Sequence, residues 1–282
     1  MFIKAIVVVF FLFLSPPLYA SSHHRYFQSS DGIRLHYIES GAGRVIVFIP
    51  GWTMPARIWS PQIEYFSKNY RAVAFDPRSQ GDSEVARSGY TPDRRARDIK
   101  ELLDQFKEAS FVLVGWSLGS DEALTYIKLF GDEKVSGVVL VDNAVIDNPA
   151  SQTSPFLQQF KENRDAAARQ FVRSMYKTKQ SDPYLDELAR ASLKTPLNAA
   201  FDLLTTLYPG NMWRDIVRKT NVPILYVATP RYRSQADELK ILRPDSQTEI
   251  FENSGHALFV DETDRFNKLV HRFLTETAWK IK

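Results

Sequence analysis

The chain has 282 residues, with 36 Lys and Arg against 33 Asp and Glu, five His and no Cys. The length fits one large domain, or one domain carrying an insertion, and a composition 44% hydrophobic and 24% charged belongs to a globular protein with its own core. A net charge of +3 is too small and dispersed to direct the chain to nucleic acid, and the lack of cysteine excludes disulfides, thiolate metal sites, Fe–S clusters and a cysteine nucleophile.

Residues 1–20 have the order of a secretory signal: Lys4, an apolar run from Ala5 to Leu14, the helix-breaking Ser15-Pro16-Pro17, then small Ala20 before Ser21. The run is too short to span a bilayer. The expectation is cleavage near Ser21, a secreted or periplasmic protein, and no stable membrane insertion afterwards.

Beyond it, strand-like Ile33–Ile38 and Val45–Ile49 flank a Gly41-Ala42-Gly43 turn. Trp59–Tyr70 carries Ile63, Phe66 and Tyr70 at helical spacing, and Ala72–Phe75 is rich in strand formers. Thr91-Pro92 caps a helix over Pro92–Phe106. Its Arg94-Arg95-Ala96-Arg97 cluster reads as a solvated face balanced by Asp98 and Glu101. Phe111–Val114 is a wholly apolar strand, Leu118–Phe130 a helix stopped by Gly131, and Val135–Val141 a second buried strand. From 144 to 220 the rhythm changes to amphipathic helices without a convincing strand: Pro155–Glu162, Ala166–Tyr176, Leu185–Leu193 and Asn198–Leu207. Strands Ile224–Val227 and Thr248–Phe251 and a helix over Asp261–Leu274 follow. This alternation predicts an α/β fold with a mostly parallel sheet flanked by helices. It divides into a leader (1–20), a core in two parts (21–143 and 221–282) and a small helical cap (144–220).

Gly115-Trp116-Ser117-Leu118-Gly119 fits G-x-S-x-G and sits between the strand Phe111–Val114 and the helix Leu118–Phe130. That strand–turn–helix setting is the context a nucleophile elbow requires. A serine on so sharp a turn needs neighbours with almost no side chain, which Gly115 and Gly119 supply, and the helix N-terminus below it favours negative charge on oxygen.

Here the chain resembles the α/β-hydrolase superfamily. Ser117 and its neighbours resemble the family's elbow, and Ser254-Gly255-His256-Ala257 its C-terminal histidine loop. Phe75-Asp76-Pro77-Arg78-Ser79-Gln80-Gly81-Asp82-Ser83 is similar to its D-x-R-x-x-G-x-S loop. Pro50-Gly51-Trp52-Thr53 stands where many members have His-Gly and an oxyanion loop. The segments Trp52–Trp59 and Asp76–Ser83 most resemble the serine esterase and cofactor-free haloperoxidase-like group. The resemblance implies an α/β-hydrolase fold, needing neither metal nor organic cofactor, that acts on a small-molecule ester.

A serine hydroxyl needs a base. His23 and His24 lie near the start, His36 alternates outward on an early strand, and His271 sits in the last helix as a surface or packing residue. His256 follows a strand in a Gly-containing loop and comes after the serine, as the order Ser…acid…His requires. The acid is ambiguous. The family usually places it just after the seventh strand, but here no carboxylate follows Ile224–Val227 until Asp237. Some members place it after the sixth strand, where Val138–Val141 is followed by Asp142. The expected acid is therefore Asp142, with Asp237 and then Asp147 as alternatives; an Asp there also caps turns. The backbone N–H groups of Leu118 and Trp52 are the expected oxyanion hole. Trp52 and Trp116 either line the substrate pocket or simply pack the core. Asp76, Arg78 and Ser83 read as loop-fixing partners. The sequence thus points to a serine hydrolase for carboxylic esters, with a lactonase or perhydrolase using the same triad, or a non-catalytic binding protein on this fold, as alternatives.

Overall fold

The computed structural model describes residues 22–146, 155–206, 208 and 211–280. The leader and Asp147 therefore lie outside the described residues. Eight strands form one sheet: β1 (His23–Gln28), β2 (Arg34–Ser40), β3 (Val45–Ile49), β4 (Arg71–Asp76), β5 (Phe111–Trp116), β6 (Val135–Val141), β7 (Ile224–Ala228) and β8 (Gln247–Ile250). Their spatial order is β1-β2-β4-β3-β5-β6-β7-β8. The pairs β1–β2 and β2–β4 are antiparallel, and every pair from β4 through β8 is parallel. The strands from β3 to β8 therefore all end at one edge, where connecting loops can converge on a ligand.

The helices are α1 (Ser60–Phe66), α2 (Pro92–Leu103), α3 (Leu118–Phe130), α4 (Pro155–Glu162), α5 (Arg164–Ser174), α6 (Asp182–Lys194), α7 (Leu197–Thr205), α8 (Asn211–Lys219), α9 (Arg233–Leu242), α10 (Leu258–Asp261) and α11 (Thr263–Phe273). Period-two alternation splits the strands between two cores. Val45, Val47 and Ile49 of β3 face a layer built by Ile99 and Leu102 of α2, Leu124 of α3 and Trp213 of α8. Ile46 and Phe48 face the opposite layer, with Phe66 of α1 and Phe266 and Val270 of α11. A third cluster joins Trp52 and Leu118, at the sheet edge, to Phe160, Ala199, Ala200 and Leu203 of the helices between β6 and β7. None of the described helices is long and apolar enough to cross a membrane.

Two local expectations are corrected. His36 does not point outward: it is fully buried, its ring Nδ1 2.6 Å from the Asp76 carboxylate and its backbone N–H donated to Ser83 Oγ at 2.8 Å. Alternation on β2 assumes one wet face, but the 76–83 loop covers it. The Arg94–Arg97 stretch is not a uniformly solvated face, since Arg95 is buried against Glu122 of α3 and Asp98 against Arg78. The expected last helix is present as α11, and the short helix α10 precedes it, two residues after His256. Strand β1 and helix α8 had no counterpart in the sequence reading.

Candidate active site

Among the described residues, four non-glycine residues have φ in the left-handed region, and each follows one of four neighbouring strands: Thr53 after β3, Ser79 after β4, Ser117 after β5 and Asp142 after β6. Strain of this kind costs about 1–3 kcal/mol per residue and persists where the surrounding structure enforces it, typically at functional sites. Here it marks one edge of the sheet.

Ser117 is the residue before α3, with φ 53° and ψ −124°, and its N–H donates to Val141 O at 2.8 Å. The sharp turn depends on two glycines. A Cβ on Gly115 would strike the Gly119 carbonyl, and one on Gly119 would strike the Ile49 carbonyl. The loop after β3 also packs tightly here: a Cβ on Gly51 would lie 3.1 Å from Ser117 Cβ. Trp52 directly follows Gly51, and Leu118 opens helix α3 directly after Ser117.

Asp142 is buried and both its oxygens are engaged. Oδ1 accepts the Thr229 N–H at 2.6 Å, and Oδ2 lies 2.7 Å from His256 Nδ1. Its own N–H donates to Val227 O at 2.8 Å. A carboxylate only accepts, so His256 Nδ1 carries the proton and Nε2 keeps its lone pair. The β7 end thus offers a backbone N–H to the acid instead of an acid of its own. Asp237, by contrast, is exposed on α9.

His256 is three-quarters buried at the side chain and held from three sides. Its carbonyl accepts the Trp116 indole N–H at 2.8 Å, and the two rings lie 5.1 Å apart. The next N–H, of Ala257, donates to Met175 O at 2.8 Å, and Gly255 N–H donates to Asp261 at 2.7 Å. Gly255 must be glycine, because a Cβ there would strike the Met175 carbonyl at the end of α5. Trp116 is buried against Phe259, so its ring packs the histidine loop rather than presenting itself to solvent.

Trp52 is also buried, but among aromatic rings of the inserted helices: Phe156, Phe160 and Phe171, with centroids 5.5, 5.1 and 5.2 Å away. Its indole N–H donates to Ala200 O of α7 at 2.7 Å. Two more bonds tie the same helices to the strained edge: Thr53 Oγ1 to Ser192 Oγ at 2.7 Å, and the Thr195 hydroxyl to Ser79 O at 2.9 Å.

A polar relay that sequence reasoning missed braces the loop after β3, which carries Gly51, Trp52 and Met54. Fully buried Gln80 donates its amide to Gly51 O at 3.1 Å and Met54 O at 2.8 Å, and accepts both terminal guanidinium nitrogens of Arg95 at 3.0 Å. Arg95 pairs with Glu122 of α3. The loop carrying Trp52 and the helix carrying Ser117 are therefore joined through side chains. The only sequence signal was Gln80 inside the Asp76–Ser83 motif. Beside the relay, burial pushes the Glu122 carboxyl up to about 7, with the Arg95 guanidinium opposing it. Burial and neighbouring Glu122 raise Asp121 well above the ordinary carboxylate range. Arg78 fixes the same loop: it donates to Asp98 at 2.7 and 2.8 Å and to Asp31 at 3.0 and 3.2 Å, and holds the Asp31 carboxyl down to about 2.

The sequence profile of the Alpha/beta hydrolase family matches residues 46–269. The chain belongs to the alpha/beta hydrolase family. Among its relatives is a pimeloyl-[acyl-carrier protein] methyl ester esterase of Aliivibrio salmonicida, 26% identical over 85% of this chain and 95% of the relative. Solved structures share the fold at lower identity. The esterase EaEST from Exiguobacterium antarcticum has a TM-score of 0.79 at 22% identity, covering 88% of this chain and 98% of its own. Bromoperoxidase from Bacillus anthracis has a TM-score of 0.79 at 21% identity, covering 89% and 99%.

Proposed function

We propose that the protein is an exported serine hydrolase that cleaves carboxylic esters through an acyl-enzyme. The observation that carries the reading is the 2.7 Å bond between His256 Nδ1 and the buried Asp142 carboxylate, at the edge that also carries the strained Ser117. Ser117 Oγ attacks the ester carbonyl while His256 Nε2 takes its proton. The N–H groups of Trp52 and Leu118 receive the negative charge of the tetrahedral intermediate. Collapse expels the alcohol, which takes the proton from His256. Water activated by the same nitrogen then releases the acid. Asp142 keeps the imidazole in the required tautomer and stabilises its cation.

The relatives named as esterases support the ester class. The same three residues would serve a lactone or a perhydrolysis reaction, and the substrate decides among them. The aromatic rings packed around Trp52, beside the elbow, favour short acyl chains. A non-catalytic reading rested on the unusual acid position, and the Asp142–His256 bond weighs against it. Export rests on Lys4, the apolar run and Ala20. Amino-terminal sequencing of protein from the native cell tests it: a start near Ser21 is expected, and a retained Met1 would refute it.

The functional test is a panel of p-nitrophenyl esters of increasing chain length, with lactones and amides, assayed against wild type and Ser117→Ala. Turnover highest on short esters and absent from the variant is the expected result. Turnover no greater than that of the variant on every substrate would overturn the reading.

A further inference from the structure

A second cluster of chemistry-bearing side chains lies at the antiparallel side of the sheet, on residues the hydrolytic site does not use. His24 of β1 and His36 of β2 occupy one face of the ladder: His36 pairs with Tyr26, and His24 is two residues from Tyr26. Their ring nitrogens, His24 Nδ1 and His36 Nε2, are 2.9 Å apart. Asp82, in the loop after β4, joins them, and one donor atom from each of the three lies within 4.8 Å of the others.

The geometry points to a divalent transition-metal site formed by His24, His36 and Asp82, with zinc(II) as the ion whose ligand chemistry it fits. Two imidazoles and one carboxylate are zinc donors, whereas calcium and magnesium prefer all-oxygen sets. Nitrogens bound to tetrahedral zinc at about 2.0–2.1 Å stand roughly 3.3 Å apart, so the ion would replace the hydrogen bond between the two rings, with His24 losing its Nδ1 proton, and draw the Asp82 carboxylate inward. The strongest observation is the arrangement behind His36. Its Nδ1 lies 2.6 Å from Asp76 Oδ2, which leaves Nε2 as an acceptor facing the cluster, where it takes a hydrogen bond from His24 Nδ1. A carboxylate backing a histidine in this way is the usual support of a metal-bound imidazole. The same Asp76 oxygen accepts the Asp82 N–H at 2.9 Å, so one buried carboxylate orients two of the three donors. His36 is fully buried, while His24 and Asp82 are exposed, which leaves an entry path and a position for water. Arg34 is the nearby cation; it stacks on Tyr26 rather than on the histidines. Bound metal would clamp the edge strand β1 and the 76–83 loop to β2.

Isothermal titration of zinc chloride into the purified, chelator-stripped protein tests the site, with thermal melting as a second readout. His24→Ala and Asp82→Asn change exposed residues and should leave folding and ester turnover intact. The neighbouring His23 belongs to the opposite face of β1, so His23→Ala serves as the control. One equivalent of zinc with a raised melting temperature, weakened at least about tenfold by His24→Ala and by Asp82→Asn but not by His23→Ala, is expected. No saturable binding by the wild type, or equal binding by the two ligand variants, would overturn the assignment.

Discussion

The two sides of the elbow are built from different chemistry. Below it, between the sheet and α2 and α3, positions are held by buried polar groups: Gln80 against Arg95, Arg95 against Glu122, and Arg78 against Asp98. Above it, the helices between β6 and β7 hold Trp52 with aromatic rings and with Ala199 and Ala200, joined by neutral hydrogen bonds from Trp52 to Ala200, between Thr53 and Ser192, and from Thr195 to Ser79. Their ion pairs, such as Arg169–Asp165 and Arg173–Asp182, lie at the surface, where they contribute little. Directional hydrogen bonds fix atoms to a few tenths of an ångström, as an oxyanion hole demands. Apolar packing fills volume and tolerates substitution of similar size. On the mechanism proposed above, the lower side would govern rate and the upper side substrate choice.

Breaking the two sides in turn should separate those roles. The largest effects belong to the shared centre. Ser117→Ala should abolish ester turnover, and Asp142→Asn should lower kcat by about 10³–10⁴-fold, because the wrong histidine tautomer is then favoured. Asp237→Asn, in the same assay, should change little. On the lower side, Gln80→Leu removes both ties to the oxyanion loop. It should reduce kcat by roughly 10–100-fold with KM nearly unchanged, a loss confined to the transition state. On the upper side, Phe160→Ala should shift the acyl-length preference toward longer chains rather than lower kcat on every ester. It should also destabilise the protein by about 3–5 kcal/mol, measured by urea unfolding. The smallest effect is a pH dependence. The folded protein raises the Asp121 carboxyl above its unfolded value of 3.8, so it binds a proton the unfolded chain has released. That contribution is complete below the unfolded value and disappears as pH rises through the folded one. Asp121→Asn, which copies the protonated acid, should flatten the decline in stability with rising pH seen in the wild type.

What could be read from the sequence followed the range of the forces involved. The strands β3, β5, β6 and β7 and the helix α3 carry their signals locally, as apolar runs and end glycines. So does the elbow, whose glycines are required by contacts within a few residues. Asp142 was readable as a candidate because it directly follows a buried strand. What sets Asp142 rather than Asp237 against His256 is the N–H of Thr229, just after the neighbouring strand, and the return of His256 from far along the chain, neither of which is local. His36 misled for a related reason: alternation along β2 carries no information about a loop more than forty residues away that covers it. The Gln80–Arg95–Glu122 relay draws on three separate elements, so each residue alone reads as an ordinary surface polar group. Edge strand β1, nearly all exposed, has no hydrophobic pattern to announce it.

The central claim is that Ser117 is an activated nucleophile served by His256 and Asp142. It is tested most directly by treating the folded protein with a fluorophosphonate and locating the adduct by peptide mass spectrometry. A single adduct on Ser117, formed far more slowly in Asp142→Asn but at the wild-type rate in Asp237→Asn, is the predicted result. A folded wild type that stays unlabelled, or an adduct that persists in Ser117→Ala, would contradict it.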